Sequence, residues 1–176
     1  MSLTRKAIRE KIVELLTGET DAQDRVYPSR VLPVWSTQLP AILVYTPSDT
    51  REIDSHPKRY AVDLQVRIEI LQKSSSNLDG ELDTLGSQVE YILDQDFTLG
   101  DLVQDILHNS TELVMDKEGE TQIGSLILTF TTRYYKESTT DPQFLDNLDG
   151  VVTDWLPNDA TTASIETQDI ITGMYE

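Results

Sequence analysis

Residues 59–73 read Arg59-Tyr-Ala-Val-Asp-Leu-Gln-Val-Arg-Ile-Glu-Ile-Leu-Gln-Lys73. Tyr60, Val62, Leu64, Val66, Ile68 and Ile70 alternate without a break against Ala61, Asp63, Gln65, Arg67 and Glu69. A side-chain period of two makes one face of a strand apolar and the other polar. No other segment of the chain carries so long and clean an alternation. Fully extended, the stretch spans about 45 Å at roughly 3.3 Å per residue, close to the width of a domain this size. The pattern therefore predicts the long spine of an antiparallel sheet with helices on one side. Its polar face is left to meet either water or a neighbouring subunit.

The flanking segments supply those helices. In Thr4–Gly18, Ile8, Ile12, Leu15 and Leu16 form one stripe of a 3.6-residue period, with Arg5, Arg9, Glu10 and Glu14 off it. Thr4 is the expected N-cap and Gly18 the expected C′ stop. Downstream of the spine, Ser74–Asn77 should break the strand and cap a second helix. Leu78, Leu82, Leu85, Val89, Ile92 and Leu93 give its stripe, with Asp79 and Glu81 at the positive end of its dipole. Gly80 and Gly86 each weaken it by about 1 kcal/mol relative to Ala, so packing must hold it.

Between the first helix and the spine lies a proline-punctuated stretch. Pro28, Pro33 and Pro40 exclude a helix and a regular inner strand. It reads as a short edge strand at Arg25–Ser29, an extended crossing loop that Trp35 pins onto the core, and a buried strand at Ala41–Thr46. Residues 47–58 are polar and connect that strand to the spine as an extended hairpin arm or loop. After the second helix, Phe97 and Leu99 are available to close the core. A hairpin follows, roughly Val103–Asp116 and Gln122–Lys136, turning at Gly119. Leu126, Leu128, Phe130 and Tyr134 mark its apolar face, broken by Thr132, while Ser125, Thr129, Thr131 and Arg133 face away.

From Glu137 the character changes. Nine acidic residues and no Lys or Arg occur between there and Glu176, among scattered apolar anchors that include Phe144, Trp155, Ile170 and Tyr175. A purely disordered tail rarely carries so many anchors, so this segment reads as an arm lying across its own domain or a partner. The fold class is thus α+β: a mostly antiparallel sheet with two helices packed on one face, spanning residues 1–136, plus an acidic C-terminal arm, 137–176.

Composition narrows the function. The 176 residues carry 31 Asp and Glu against 14 Lys and Arg, a formal net charge of −17. Such a surface does not bind a nucleic-acid backbone broadly, because that affinity comes from neutralising phosphates with cations. Acidity can serve plain solubility or a surface that must keep a polyanion from sticking. There are no cysteines, which excludes disulfides and thiolate chemistry. No apolar run reaches the length of a membrane span and the N-terminus lacks a signal-peptide core, so the expectation is a chain made and folded in a cytoplasm. Nucleophile elbows, phosphate loops and zinc motifs are all missing. His56 and His108 have no spacing that implies shared ligation, and Asp94, Asp96 and Asp101 lack a further ligand. The expectation is a non-enzyme with no cofactor and no metal.

The order helix, Pro-rich edge, strand, long strand, helix, hairpin resembles the phage minor tail protein U family, the tail terminators of long-tailed phages. The residues that carry the resemblance are Arg25-Val-Tyr27-Pro-Ser-Arg30, Trp35, Leu39-Pro-Ala-Ile42 and the strand that follows, with residues 5–18 and 111–135 in the same layout. It covers roughly residues 3–136, and the acidic extension lies beyond it. The resemblance implies a virion protein of the tail or neck. It implies a homohexameric ring on the end of the completed tail tube, which halts tube polymerisation and offers the surface on which the head joins. Its partners would be further copies of itself, the tail tube protein and a head-completion or neck protein, with DNA passing through the lumen unbound. Candidate contacts are Arg25, Tyr27, Arg30, Asp63, Arg67 and Glu69, with Phe144, Trp155, Ile170 and Tyr175 anchoring the arm. The alternatives are another phage neck or connector protein, such as a tail-completion or head-closure subunit, and a small enzyme or ligand-binding domain.

Overall fold

The computed structural model describes residues 4–30, 34–56, 59–74, 76–116 and 122–137, together with two short strands at 151–152 and 170–171. The spine is strand β4, Arg59–Ser74. It is preceded by helix α1 (Thr4–Leu16), strand β1 (Val26–Pro28), a short 3-10 turn (Ser36–Gln38), strand β2 (Ala41–Tyr45) and strand β3 (Asp49–Ser55). Helix α2 (Leu78–Gln95) and the hairpin β5 (Asp105–Asp116) and β6 (Gln122–Glu137) follow.

β4 organises the sheet because it is long enough to pair with three strands. β6 runs antiparallel along its whole length, from Arg59↔Glu137 to Ser74↔Gln122. On its other side β3 takes the first half and β2 the second half, both antiparallel. The path across the sheet is β1-β2-β4-β6-β5, with β3 attached to β4 beside it. β1 joins β2 in parallel, the one departure from antiparallel pairing in this sheet. Pro28 is tolerated there because β1 is an edge strand, where a missing donor leaves no ladder bond unmade.

Both helices cover one face. α1 packs on β1, β2 and α2, and α2 packs on β4, β6 and β5. Ile8, Ile12 and Leu16 of α1 and Leu82, Leu85, Val89 and Leu93 of α2 are buried against Val62, Leu64, Val66, Ile68 and Ile70 of β4 and Leu126, Leu128 and Phe130 of β6. Each such side chain contributes about 1.5–3 kcal/mol by leaving water. Thr132, which interrupts the apolar run of β6, is fully buried and directs its hydroxyl to the Leu64 carbonyl. Gly86 has a specific task in this layer: a Cβ there would stand 2.6 Å from Leu126 Cδ2, so glycine lets the helix lie close to β6.

Helix ends partly follow expectation. Gly18 takes φ +79° after α1, the left-handed conformation a C′ glycine supplies. Thr4 is helical, the first described residue of α1, and not the expected N-cap. Asn77 stands at the N-cap of α2 without a side-chain cap bond. Glu81 fastens that junction instead, accepting from Ser74 Oγ at 2.8 Å and Gln72 Nε2 at 2.7 Å.

Two aromatic expectations fail. Trp35 does not pin its loop to the core, since it is 72% exposed. Phe97 is exposed as well, and Leu99, at 0%, closes the core alone. Leu99 and Asp101 have positive φ on either side of Gly100, and that tight loop turns Leu99 inward and Phe97 outward. The described part of the polar stretch, 47–56, forms the hairpin arm: β3 is exposed along nearly its whole length and is held by β4, not by burial of its own. The turn between β5 and β6, with Gly119, lies outside the described residues.

The chain divides into two compact units, residues 1–138 and 139–176. In the second, β7 (Val151–Val152) pairs antiparallel with β8 (Ile170–Ile171).

Candidate functional site

The face of the sheet away from the helices is the candidate surface, and it has two halves. At the β3 end, charges are paired within the molecule. Asp63 lies opposite Arg133 in the β4–β6 register, and the Arg133 guanidinium donates to both of its carboxylate oxygens at 2.6 and 2.7 Å. This bidentate pair holds the Asp63 carboxyl below its usual range and raises the Arg133 guanidinium further. Beside it, Arg59 bonds Asp54 and stacks over the Tyr135 ring at 4.5 Å. Tyr135 donates to Gln104, and Asn109 to Thr131. Cross-strand register makes such a lattice possible, because directly opposed side chains lie close together.

At the β1–β2 end the polar groups surround apolar ones. Arg67 and Glu69 of β4 lie opposite Tyr45 and Leu43 of β2 and opposite Thr129 and Ile127 of β6. Leu43 and Ile127 are 6% and 8% exposed, although they belong to the helix-free face. Arg67 and Glu69 border an open cleft of about 390 Å³ with Ser29, Tyr45, Thr46 and Pro47. The Tyr45 hydroxyl is pushed up, first by burial and then by Glu69, so it stays a donor, and it reaches the Arg30 carbonyl at 3.3 Å. Arg30 stacks on Tyr27 at 4.6 Å and donates to Gln38. Arg25 is tied to the Pro40 carbonyl at 2.7 Å.

The candidate residues thus sort into two places. Arg25, Tyr27, Arg30, Arg67 and Glu69 gather at the β1–β2 end, and Asp63 stands apart, engaged by Arg133. Ile170 is in β8, while Phe144, Trp155 and Tyr175 lie outside the described residues. Two features escaped the reading of the residues. Trp35, on the 3-10 turn beside β2, is solvent-facing. On edge strand β5, Leu113, Val114 and Met115 are consecutive and 40%, 45% and 38% exposed. Three adjacent apolar residues break the strand's alternation, and that was the available signal.

The Asp63–Arg133 and Arg59–Asp54 ion pairs are each satisfied within the molecule. Among the described residues no group of His, Asp and Glu could hold a metal ion, and no helix is long and apolar enough to cross a membrane. Asp96, one of the three aspartates near the end of α2, accepts hydrogen bonds from Thr98 and Gly100 of its own loop.

Residues 3–134 match the model of a protein family described as phage minor tail protein U. No curated protein matches the chain.

Proposed function

Because the chain belongs to the phage minor tail protein U family, a structural component of the phage virion, we propose that it is a tail terminator. In this reading the subunits form a ring, hexameric by the family resemblance, on the end of the finished tail tube. The ring stops tube polymerisation and presents the surface on which the head is joined.

The observation that carries the reading is the mostly antiparallel sheet with both helices on one face, in a chain matched to that family over three-quarters of its length. A ring subunit must meet each neighbour through two different surfaces, and such a fold offers edge strands β1 and β5 and a helix-free face for them. Closing the ring also shelters edge strands that would otherwise invite unwanted pairing. At −17 per subunit, a ring of six carries roughly −100, which repels DNA in transit instead of binding it. In the same reading residues 137–176 anchor on an adjacent subunit or on the tube through Phe144, Trp155, Ile170 and Tyr175, since aromatic anchors dominate interface energetics.

Adding the purified protein to elongating tail tubes tests the proposal. Tubes of arrested length, capped at one end by a ring in negative-stain images, are the expected result. Tubes that elongate as if nothing were added sink it. Removing residues 137–176 should weaken the ring or its docking, and unchanged capping by the truncated chain would refute the role given to the arm.

A further inference from the structure

The charge of the first unit is polarised across its sheet. Residues 4–46, which form α1, β1 and β2, carry six Lys and Arg against five Asp and Glu. Residues 74–116, which form α2 and β5, carry ten Asp and Glu and no Lys or Arg. β1 and β5 are the two ends of the strand order: the β1 flank is near-neutral and locally cationic, while edge strand β5 carries Asp105, Glu112 and Asp116 and no Lys or Arg, with acidic α2 packed between them on β4, β6 and β5. Between Arg25 and Thr46 there is no acidic residue at all.

Each flank also presents an uncovered apolar feature. On the cationic side it is Trp35, 72% exposed on a fixed turn. Its N–H donates to Gln38 Oε1 at 3.3 Å, the Gln38 N–H donates back to its carbonyl at 2.8 Å, and Arg30 donates to the same Gln38 oxygen at 2.9 Å. A tryptophan with an arginine beside it, on a turn already ordered, is the composition of an interface anchor, and little entropy remains to be lost on docking. On the anionic side it is the run Leu113-Val114-Met115 along edge strand β5, with Glu112 beside it. An exposed apolar edge of this length is a site of uncontrolled pairing unless something covers it.

We propose that the protein associates head to tail with itself, the Trp35–Arg30 flank of one copy seating on the Leu113–Met115 edge of the next. This deepens the ring reading above by naming its two contacting surfaces. The occupant is a second copy because the two features complement each other in charge and in apolar character and lie at opposite edges of one sheet. The two patches differ, so every contact leaves one of each free. Such a contact propagates until a ring closes. Part of the attraction is between exposed charges and weakens with added salt.

The test uses full-length protein and two variants at exposed positions. Trp35→Ala removes the anchor and leaves the edge; Val114→Asp spoils the edge and leaves the anchor. Each alone should lose self-association at least tenfold in sedimentation equilibrium while keeping its circular dichroism spectrum and melting temperature. Mixed in equal amounts, they retain one good anchor and one good edge between them, so they should form dimers and nothing larger. Because the chain has no cysteine, copies carrying Ser36→Cys and Thr111→Cys, exposed positions beside the intact anchor and edge, can be mixed and oxidised, and the heterodimer should outnumber both homodimers. Variants that assemble like the wild type overturn the proposal, as does a wild type that stays monomeric at millimolar concentration. A mixture with no heterodimer also overturns it, and so does a monomer in which Trp35 is already shielded from quencher in a Trp155→Phe background, which would mean the chain covers its own anchor. Rings that depend on both residues yet fail to arrest tubes would sink the terminator reading and leave this interface standing.

Discussion

Along β4, Val62, Leu64, Val66, Ile68 and Ile70 lie beneath the helices with no exposure, whereas Ala61, Asp63, Gln65, Arg67 and Glu69, one residue out of phase, face away from them. The two sets share a backbone, a ladder and a length. They differ in what a change of side chain must disturb. On the covered face every atom has neighbours on all sides, so a change is felt as lost stability. On the open face the neighbours are one or two cross-strand side chains, and a change is free to alter what the protein meets without altering whether it folds.

The largest expected effect tests the covered face. Val66 is fully buried opposite Phe130, and Val66→Asp places a carboxylate where no cation or donor waits. The cost is about 4 kcal/mol or more, most of the stability of a domain that has only roughly 5 kcal/mol. Loss of the cooperative melt by circular dichroism checks it, and a variant that melts like the wild type would mean the covered face is not the core. Gly86→Leu comes next. Its side chain meets Leu126 across a gap that glycine keeps open, and overpacking of this kind costs about 1–3 kcal/mol. Urea denaturation should show a lower midpoint with an unchanged slope.

That glycine shows what periodicity can and cannot convey. The stripes of α1 and α2 and the alternation of β4 were legible because burial repeats at the period of the element itself. The edge position of β1 was legible through Pro28. Gly86 read only as a weak helix residue, because its purpose depends on the distance to a side chain forty positions away. Trp35 and Phe97 were misread for a related reason: large apolar residues outside a periodic element carry no signal of which way they point. Strand β3 has no alternation because β4 supports it, and the parallel join of β1 to β2 depends on how the loop between them crosses. At the candidate site, Asp63, Arg67 and Glu69 were legible as one polar face. Register was not legible, so the sequence could not separate Asp63, claimed by Arg133, from Arg67 and Glu69 beside the cleft.

Arg67→Glu sharpens that separation. Arg67 is exposed and opposes Tyr45 and Thr129, so reversal should shift folding stability by no more than about 0.5 kcal/mol. If this half of the open face meets a neighbouring copy, the tube or the lumen, the variant should cap tubes poorly while melting normally. Normal capping would remove Arg67 from the candidate contacts.

The smallest effect belongs to Asp63, and its pH dependence gives it a signature. The carboxyl titrates lower in the folded chain than in the unfolded one because Arg133 donates to it. A depressed carboxylate contributes stability that is fully present above the unfolded value of about 3.9 and is lost as pH falls through the lower folded value. Asp63→Asn cannot titrate and loses one charge of the pair at every pH. The wild type should therefore be slightly more stable than the variant near neutrality, with the difference shrinking once pH drops below the ordinary carboxylate range. Solvent reaches this pair, so the gap is small and salt reduces it further. Paired thermal melts of the two chains from neutral to acid pH resolve it. A gap that persists unchanged into acid would assign the effect of Asp63→Asn to packing, and the β3 half of the open face would then be held by shape and not by charge.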